Sequence, residues 1–402
     1  MMANCQMNLL KSLAVFAYCA NSLMVECWHS SQRLWFESMF ALRLKSKSMR
    51  VSVLGCGNVG IAISADLSLS GHDVSLIKTS SSKEDIFEKI KNGNNAICLK
   101  EEGKYKKSHI KEVTHDISKV ADSEVVFVTI QSTYHEDLIR RISGYLKSSQ
   151  IVICICSYMS SFYFAKYCNS LPIIAETTGP YLEGRVEEDD IHGIVFRVGC
   201  RLTKSPLSIY QVHRKDECME KILKLYNGFS CDYNTLESAL LNPNMVLHTV
   251  GSIMSIPRIE YSKGNFCMYR EAYARGNEAT LNIMLELDEE KKGVLRKLRC
   301  SPVDVFKAGG FLGDPKESFY SYSESNDRAI SPTSVKSRYI TEDVSQGLVL
   351  LESIATRIGT VVPVTSSLIT LAEYALGVDF RANGRTIKKL GAEDYIENLY
   401  YL

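Results

Sequence analysis

The sequence predicts an α/β domain built on a doubly wound parallel sheet, followed by a mostly helical domain, and three observations predict it. Arg50-Val51-Ser52-Val53-Leu54 is a short apolar strand that runs directly into Gly55-Cys56-Gly57-Asn58-Val59-Gly60. Strand-like and helix-like stretches then alternate, and strands alternating with helices form parallel sheets. Beyond about Thr235 the apolar residues recur at helical spacing instead. The sheet domain is therefore of the Rossmann type and is expected over residues 49–234, with the helical domain over residues 235–402.

Taken in order, the helix-like stretch Ile61 to Ser70 stops at Gly71, and Val74 to Ile77 is the second strand, which completes one βαβ unit. Glu124 to Ile130, Ile151 to Cys156 and Leu171 to Ala175 are further buried strands, and His135 to Leu146 is helical. Asn242-Pro243 offers an N-cap followed by Pro at the first helical position. Val344, Leu348, Leu351, Ile354 and Ile358 fall on one helical stripe that stops at Gly359, and the Ser-rich stretch Ser321 to Ser334 is expected as the longest loop. Residues 1–48 are expected to be a leader outside the fold, which a chain beginning at Met49 does without, and the apolar run Leu13 to Ala20 after Lys11 leaves a signal peptide as the alternative.

Charge and cysteine content narrow the function. Forty-seven basic and 46 acidic side chains leave a formal charge of +1, so there is no extended positive field for nucleic acid or acidic lipid. No stretch reaches the ~18 apolar residues of a membrane helix. The 13 cysteines are odd in number, scattered and without a CxxC pair, which reads as buried thiols in a reducing cytoplasm. No metal site is expected: Cys154 and Cys156 alone approach ligand spacing, and strand alternation turns both to a core face. The charge runs Lys104 to Lys107 and Asp288 to Lys292 are expected to be solvated faces.

The GxGxxG stretch gains meaning from its context, because it follows a strand and opens a helix. Gly55 permits the turn, Gly57 admits a pyrophosphate, and Gly60 lets helix and strand pack closely; Asn58 and Val59 lie between them at the helix start. At the end of the second strand, where an acid would bind a ribose 2′-hydroxyl, the sequence has Lys78-Thr79-Ser80. Asp73 stands at the wrong end of that strand. A cation and hydroxyls suit a 2′-phosphate, so Lys78 and Thr79 point to NADP(H), with NAD(H) as the alternative.

Four stretches carry a further pattern: Arg338-Tyr339-Ile340-Thr341-Glu342-Asp343-Val344 with Gly347-Leu348, Asp379-Phe380 with Gly384-Arg385-Thr386, Asn242-Pro243 with His248, and Gln131-Ser132-Thr133-Tyr134-His135. With them the chain from about Met49 to the end, most specifically in its C-terminal half, resembles the octopine/nopaline (opine) dehydrogenase family. The resemblance implies reductive condensation of an amino acid with a 2-oxo acid through an imine that NAD(P)H reduces. It further implies His248 as acid/base, Asp343 as its support and Arg338 as the holder of a substrate carboxylate. Thr249 departs from the family, which usually has Pro after the His.

These roles fit the residue types. Histidine titrates near neutrality, an Asp early in a helix can orient an imidazole, and a guanidinium grips a carboxylate with two parallel hydrogen bonds. Each has a plainer reading too: a satisfied helix-face histidine, an acidic residue following a Thr341 cap, and a surface ion pair. Arg385 is a weaker substrate candidate, and His135 is read as structural or at the cofactor's edge. Two other functions stay open. One is a reductase of the ketopantoate or glycerol-phosphate kind, in which a lysine usually serves as acid; the other is a sensor that binds NAD(P) without turnover.

Overall fold

The computed structural model describes residues 48–401 apart from 83, 312 and 326–330. Of the expected leader, residues 1–48, residues 1–47 lie outside the described residues. The rest of the description concerns the described residues from Met49 onward.

The larger sheet is built from β1 (Arg50–Leu54), β2 (Asp73–Ile77), β5 (Glu112–Thr114), β6 (Val125–Val128), β7 (Ile151–Ile155), β8 (Ile173–Thr177), β11 (Ser205–Ile209) and β12 (Phe229–Cys231). Their spatial order is β12-β11-β8-β7-β6-β1-β2-β5. From β5 to β8 all neighbours are parallel, as the alternation of strands and helices predicts. β11 runs antiparallel to β8, so the sheet is parallel except at that edge. Every residue of β6 and β7 is buried, which is why both read as unbroken apolar runs.

A second sheet was not legible. β3 (Ala96–Glu101), β4 (Lys104–His109), β9 (Leu182–Asp189) and β10 (Gly193–Arg201) form it in the order β4-β3-β10-β9. Lys104 to Lys107 are exposed, as expected of a solvated run, but they lie in a strand. β9 approaches the first helix, Asn58–Leu69, and its Val186 N–H donates to Asn58 Oδ1 at 3.1 Å.

In the helical half, the helices Asn244–Met254, Glu278–Lys297, Val349–Arg357 and Pro363–Leu376 share one core. Val344, Leu348, Leu351 and Ile354 are fully buried in it and Ile358 nearly so, which matches the predicted stripe. Four expectations change here. Pro243 is the N-cap rather than the first helical residue, the helix begins at Asn244, and the Asn242 side chain accepts the Asn244 N–H at 3.1 Å without being the cap. Helix Pro315–Glu324, capped by Asp314, takes in the start of the expected Ser-rich loop, and residues 326–330 of that loop lie outside the described residues. Cys156 follows β7 with a left-handed backbone, so it does not share a strand face with Cys154. Asp288 and Lys291 are buried rather than solvated, with Lys291 Nζ 2.6 Å from Asp288 Oδ1.

Candidate active site

The glycine turn sits at the carboxyl end of β1, near the middle of the large sheet. Gly55 adopts φ 121°, where an L side chain strains, and its N–H donates to Ile77 O at 2.9 Å. A Cβ on Gly60 would stand 1.8 Å from Gly55 O, so only glycine allows the helix to start this close to the strand. A Cβ on Gly57 would meet nothing within 4 Å, leaving open space beside the helix N-terminus. No side chain caps the helix Asn58–Leu69, so the N–H groups of its first turn face that space. These residues fit a dinucleotide pyrophosphate.

At the carboxyl end of β2, the Lys78 ammonium is nearly buried, donates to Ser82 O and lies 3.8 Å from Glu84 Oε2. Arg141 Nη1 reaches Thr79 O at 3.4 Å. Asp73 stands at the far end of the strand and pairs with Lys111 at 2.6 Å.

The structure brings His248 and Asp343 together. Helix Asn244–Met254 turns His248 inward, and its Nδ1 lies 2.8 Å from Asp343 Oδ2, with both side chains less than 10% exposed. Burial holds the imidazole below the usual histidine range, while the Asp343 bond opposes that shift. Tyr339 stacks on the imidazole with ring centroids 3.6 Å apart and planes 6° apart.

Asp343 does not sit at a helix start. The chain is helical from Arg338, and Thr341 lies within that turn rather than capping it. Asp343 instead opens a π-helical turn, Asp343–Leu348, a distortion common at functional sites. Its second oxygen, Oδ1, accepts the Tyr158 hydroxyl at 2.8 Å.

Arg338 is the first residue of its helix, and its partly exposed guanidinium lies 3.7 Å from Glu342 Oε2. Glu342 Oε1 accepts both the N–H and the hydroxyl of Ser132, at 2.6 and 2.8 Å, which links this segment to the loop after β6. Two earlier candidates are structural. Arg385 is fully buried and spends its guanidinium on Ser132 O, Ser157 O, Tyr158 O and Ser160 Oγ. His135 bonds Ser160 Oγ at 2.7 Å and Ile130 O at 3.1 Å, and burial followed by Arg385 pushes it down to about 3, so it stays neutral near pH 7.

Sequence reasoning missed Tyr158, and it cited Tyr339 and Glu342 only as members of the Arg338 to Val344 stretch, without a role in the site. Tyr158 follows the carboxyl end of β7, where parallel sheets place their sites, and that rule alone could have flagged it.

Comparison with known proteins covers both halves. Residues 231–376 match the family "NAD/NADP octopine/nopaline dehydrogenase, alpha-helical domain", and residues 51–156 match "Ketopantoate reductase PanE/ApbA". An opine dehydrogenase of Arthrobacter sp. (strain 1C) is 25% identical over 86% of this chain and 96% of its own length. The helical half of this chain thus matches the octopine/nopaline dehydrogenase domain, and the chain is similar to an opine dehydrogenase over most of its length. A vitopine synthase of Allorhizobium ampelinum is 22% identical over 86% of this chain and 97% of its own. An octopine dehydrogenase structure with NADH and L-arginine shares the fold at TM-score 0.68 and 16% identity, over 88% of this chain and 98% of that one. An NADP+-bound yersinopine dehydrogenase shares it at TM-score 0.66 and 11% identity, over 88% and 99%. Taken together, these relatives and the shared fold make the chain an NAD(P)-dependent oxidoreductase acting on CH–NH bonds. Among the described residues, no helix is long and apolar enough to cross a membrane.

Proposed function

We propose that this chain joins an amino acid to a 2-oxo acid and reduces the resulting imine to a secondary-amine dicarboxylate. The observation that carries the reading is the buried His248–Asp343 pair on the segment that also bears Arg338. The amine attacks the oxo carbon, water leaves, and the C=N bond then accepts a hydride and a proton. The bound nicotinamide supplies the hydride. His248 gives its proton to the imine nitrogen, and Asp343 stabilises the imidazolium before that transfer. Gly55, Gly57, Asn58, Val59 and Gly60 hold the pyrophosphate, and Arg338 holds one substrate carboxylate. Octopine dehydrogenase structures contain L-arginine or pyruvate, which are substrates of this chemical class.

The deciding experiment measures NADPH and NADH oxidation against a matrix of amino acids and 2-oxo acids, with each substrate alone as control. Oxidation is expected only with a pair. Full activity with a 2-oxo acid alone would instead establish a simple reductase, the reading favoured by the ketopantoate reductase match over residues 51–156.

Two variants probe the ligand groups. Arg338→Ala is expected to raise the Michaelis constant for one substrate by an order of magnitude or more, because loss of a charge-assisted contact costs roughly 1.5–3 kcal/mol. An unchanged constant for both substrates would remove Arg338 from the site. The preferred cofactor is NADP(H): the end of β2 carries the cation Lys78 and then Thr79, Arg141 reaches Thr79 O, and the acid Asp73 stands at the opposite end. Lys78→Ala should weaken NADPH more than NADH, and an equal loss for both would assign no 2′-phosphate to this strand end.

A further inference from the structure

Tyr158 sits on a loop that ordinary residues avoid. Cys156, Tyr158 and Met159 have φ of 54°, 50° and 64°, a left-handed backbone in which a Cβ crowds the following carbonyl. Such strain persists only where the surroundings over-determine it, and it clusters at functional sites.

Two buried charged groups supply that constraint. Glu176, at 1% exposure, accepts the Met159 N–H at 3.0 Å, the Ser161 N–H at 2.7 Å and the hydroxyls of Ser157 and Ser161. Arg385 donates to the carbonyls of Ser157 and Tyr158 from the other side, the latter at 2.6 Å. The side chain so placed is the Tyr158 phenol, which reaches Asp343 Oδ1. Gly347 makes room for it in the π-helical turn, since a Cβ there would stand 3.2 Å from Tyr158 Cε1 and Oη and 2.8 Å from Met245 Cγ. Burial followed by Asp343 holds the phenol well above its usual range, so it stays a donor throughout the enzyme's working pH.

We propose that Tyr158 is a positioning residue, which pins Asp343 through Oδ1 so that Oδ2 stays aligned with Nδ1 of His248. The inference rests on the His248–Asp343 reading above. A buried tyrosine that merely finds an acceptor would leave His248 unaffected, whereas a positioning tyrosine must show in the imidazole's own titration. Burial works against the protonated imidazole and the aligned carboxylate works for it, while Arg338 and Arg185 oppose it and Tyr339 covers the ring. An unpinned carboxylate offsets burial less, so the midpoint must fall.

The test is an NMR titration of the histidine rings in the full chain, with His248 assigned by the signal that His248→Gln removes. Tyr158→Phe should lower its midpoint by about half a unit or more, within the range that single neighbours produce. Asp343→Asn should lower it further, and adding Tyr158→Phe to that variant should change nothing more, because Tyr158 acts only through Asp343. If Tyr158→Phe melts far below the wild type, Gly347→Ala, which displaces the ring from the other side, should give the same fall. A midpoint that stays in place overturns the proposal. A rise does so too, since it would mean that the hydroxyl drains charge from Asp343 rather than aligning it. Normal turnover in His248→Ala would sink the chemistry assigned to the pair and leave this titration readable.

Discussion

Replacing His248 by Ala should lower turnover by about 10²–10⁴-fold, the usual contribution of a general acid, while cofactor affinity stays unchanged. The imine nitrogen must gain a proton as hydride arrives, and the buried imidazole paired with Asp343 is the group proposed to give it. Asp343→Asn should also lose turnover, because an amide does not stabilise the imidazolium. The two residues serve one proton transfer, so the double variant should lose far less than the product of the single losses. The pH profile carries the same logic. Reduction needs the protonated ring, and burial holds its pKa below the usual value. In the free enzyme, kcat/KM for reduction should therefore fall along an alkaline limb that begins below the ordinary histidine range, and the limb should vanish in His248→Ala. Single losses that multiply, or near-normal turnover in His248→Ala, would move the simple reductase ahead.

The second large effect is on stability. Lys291→Met should destabilise the fold by about 3–5 kcal/mol, the cost of leaving a buried charge without its partner. Lys291 and Asp288 are each no more than 2% exposed, and Asp288 Oδ2 also accepts the Val305 N–H at 3.1 Å. Adding Asp288→Asn to Lys291→Met should recover much of that loss, since the neutral amide keeps an acceptor for Val305 and removes the stranded charge. Urea unfolding of the three variants measures this. A loss under about 1 kcal/mol for Lys291→Met would place the pair in effective contact with water.

That pair shows where the sequence stops being legible. Asp288-Glu289-Glu290-Lys291-Lys292 has the composition of a solvated helix face, and Glu289 with Lys292 behaves as one at the surface. One turn of the same helix nevertheless turns Asp288 and Lys291 into the core, because the helix Glu278–Lys297 is packed by other helices. Local charge says nothing about which face a distant element covers. The strand β4 failed differently: its lysines are exposed as read, but hydrogen bonding to β3 decided its conformation.

What the sequence determined by itself is what short-range physics encodes. The glycine turn after an apolar strand, the apolar runs of a sheet covered on both faces, and the stripe from Val344 to Ile358 each follow from local sterics and periodicity. The candidate residues His248, Asp343 and Arg338 were legible as residue types in a family pattern. Tertiary structure alone decided that His248 meets Asp343 across 95 positions of chain, and that Tyr158 reaches the other oxygen of Asp343 across 185. It also decided that Arg385 and His135 are spent on backbone carbonyls and Ser160. Such contacts depend on where separate elements pack against one another, and a hydrogen bond holds only within about 3 Å, so no local pattern of residues can specify it.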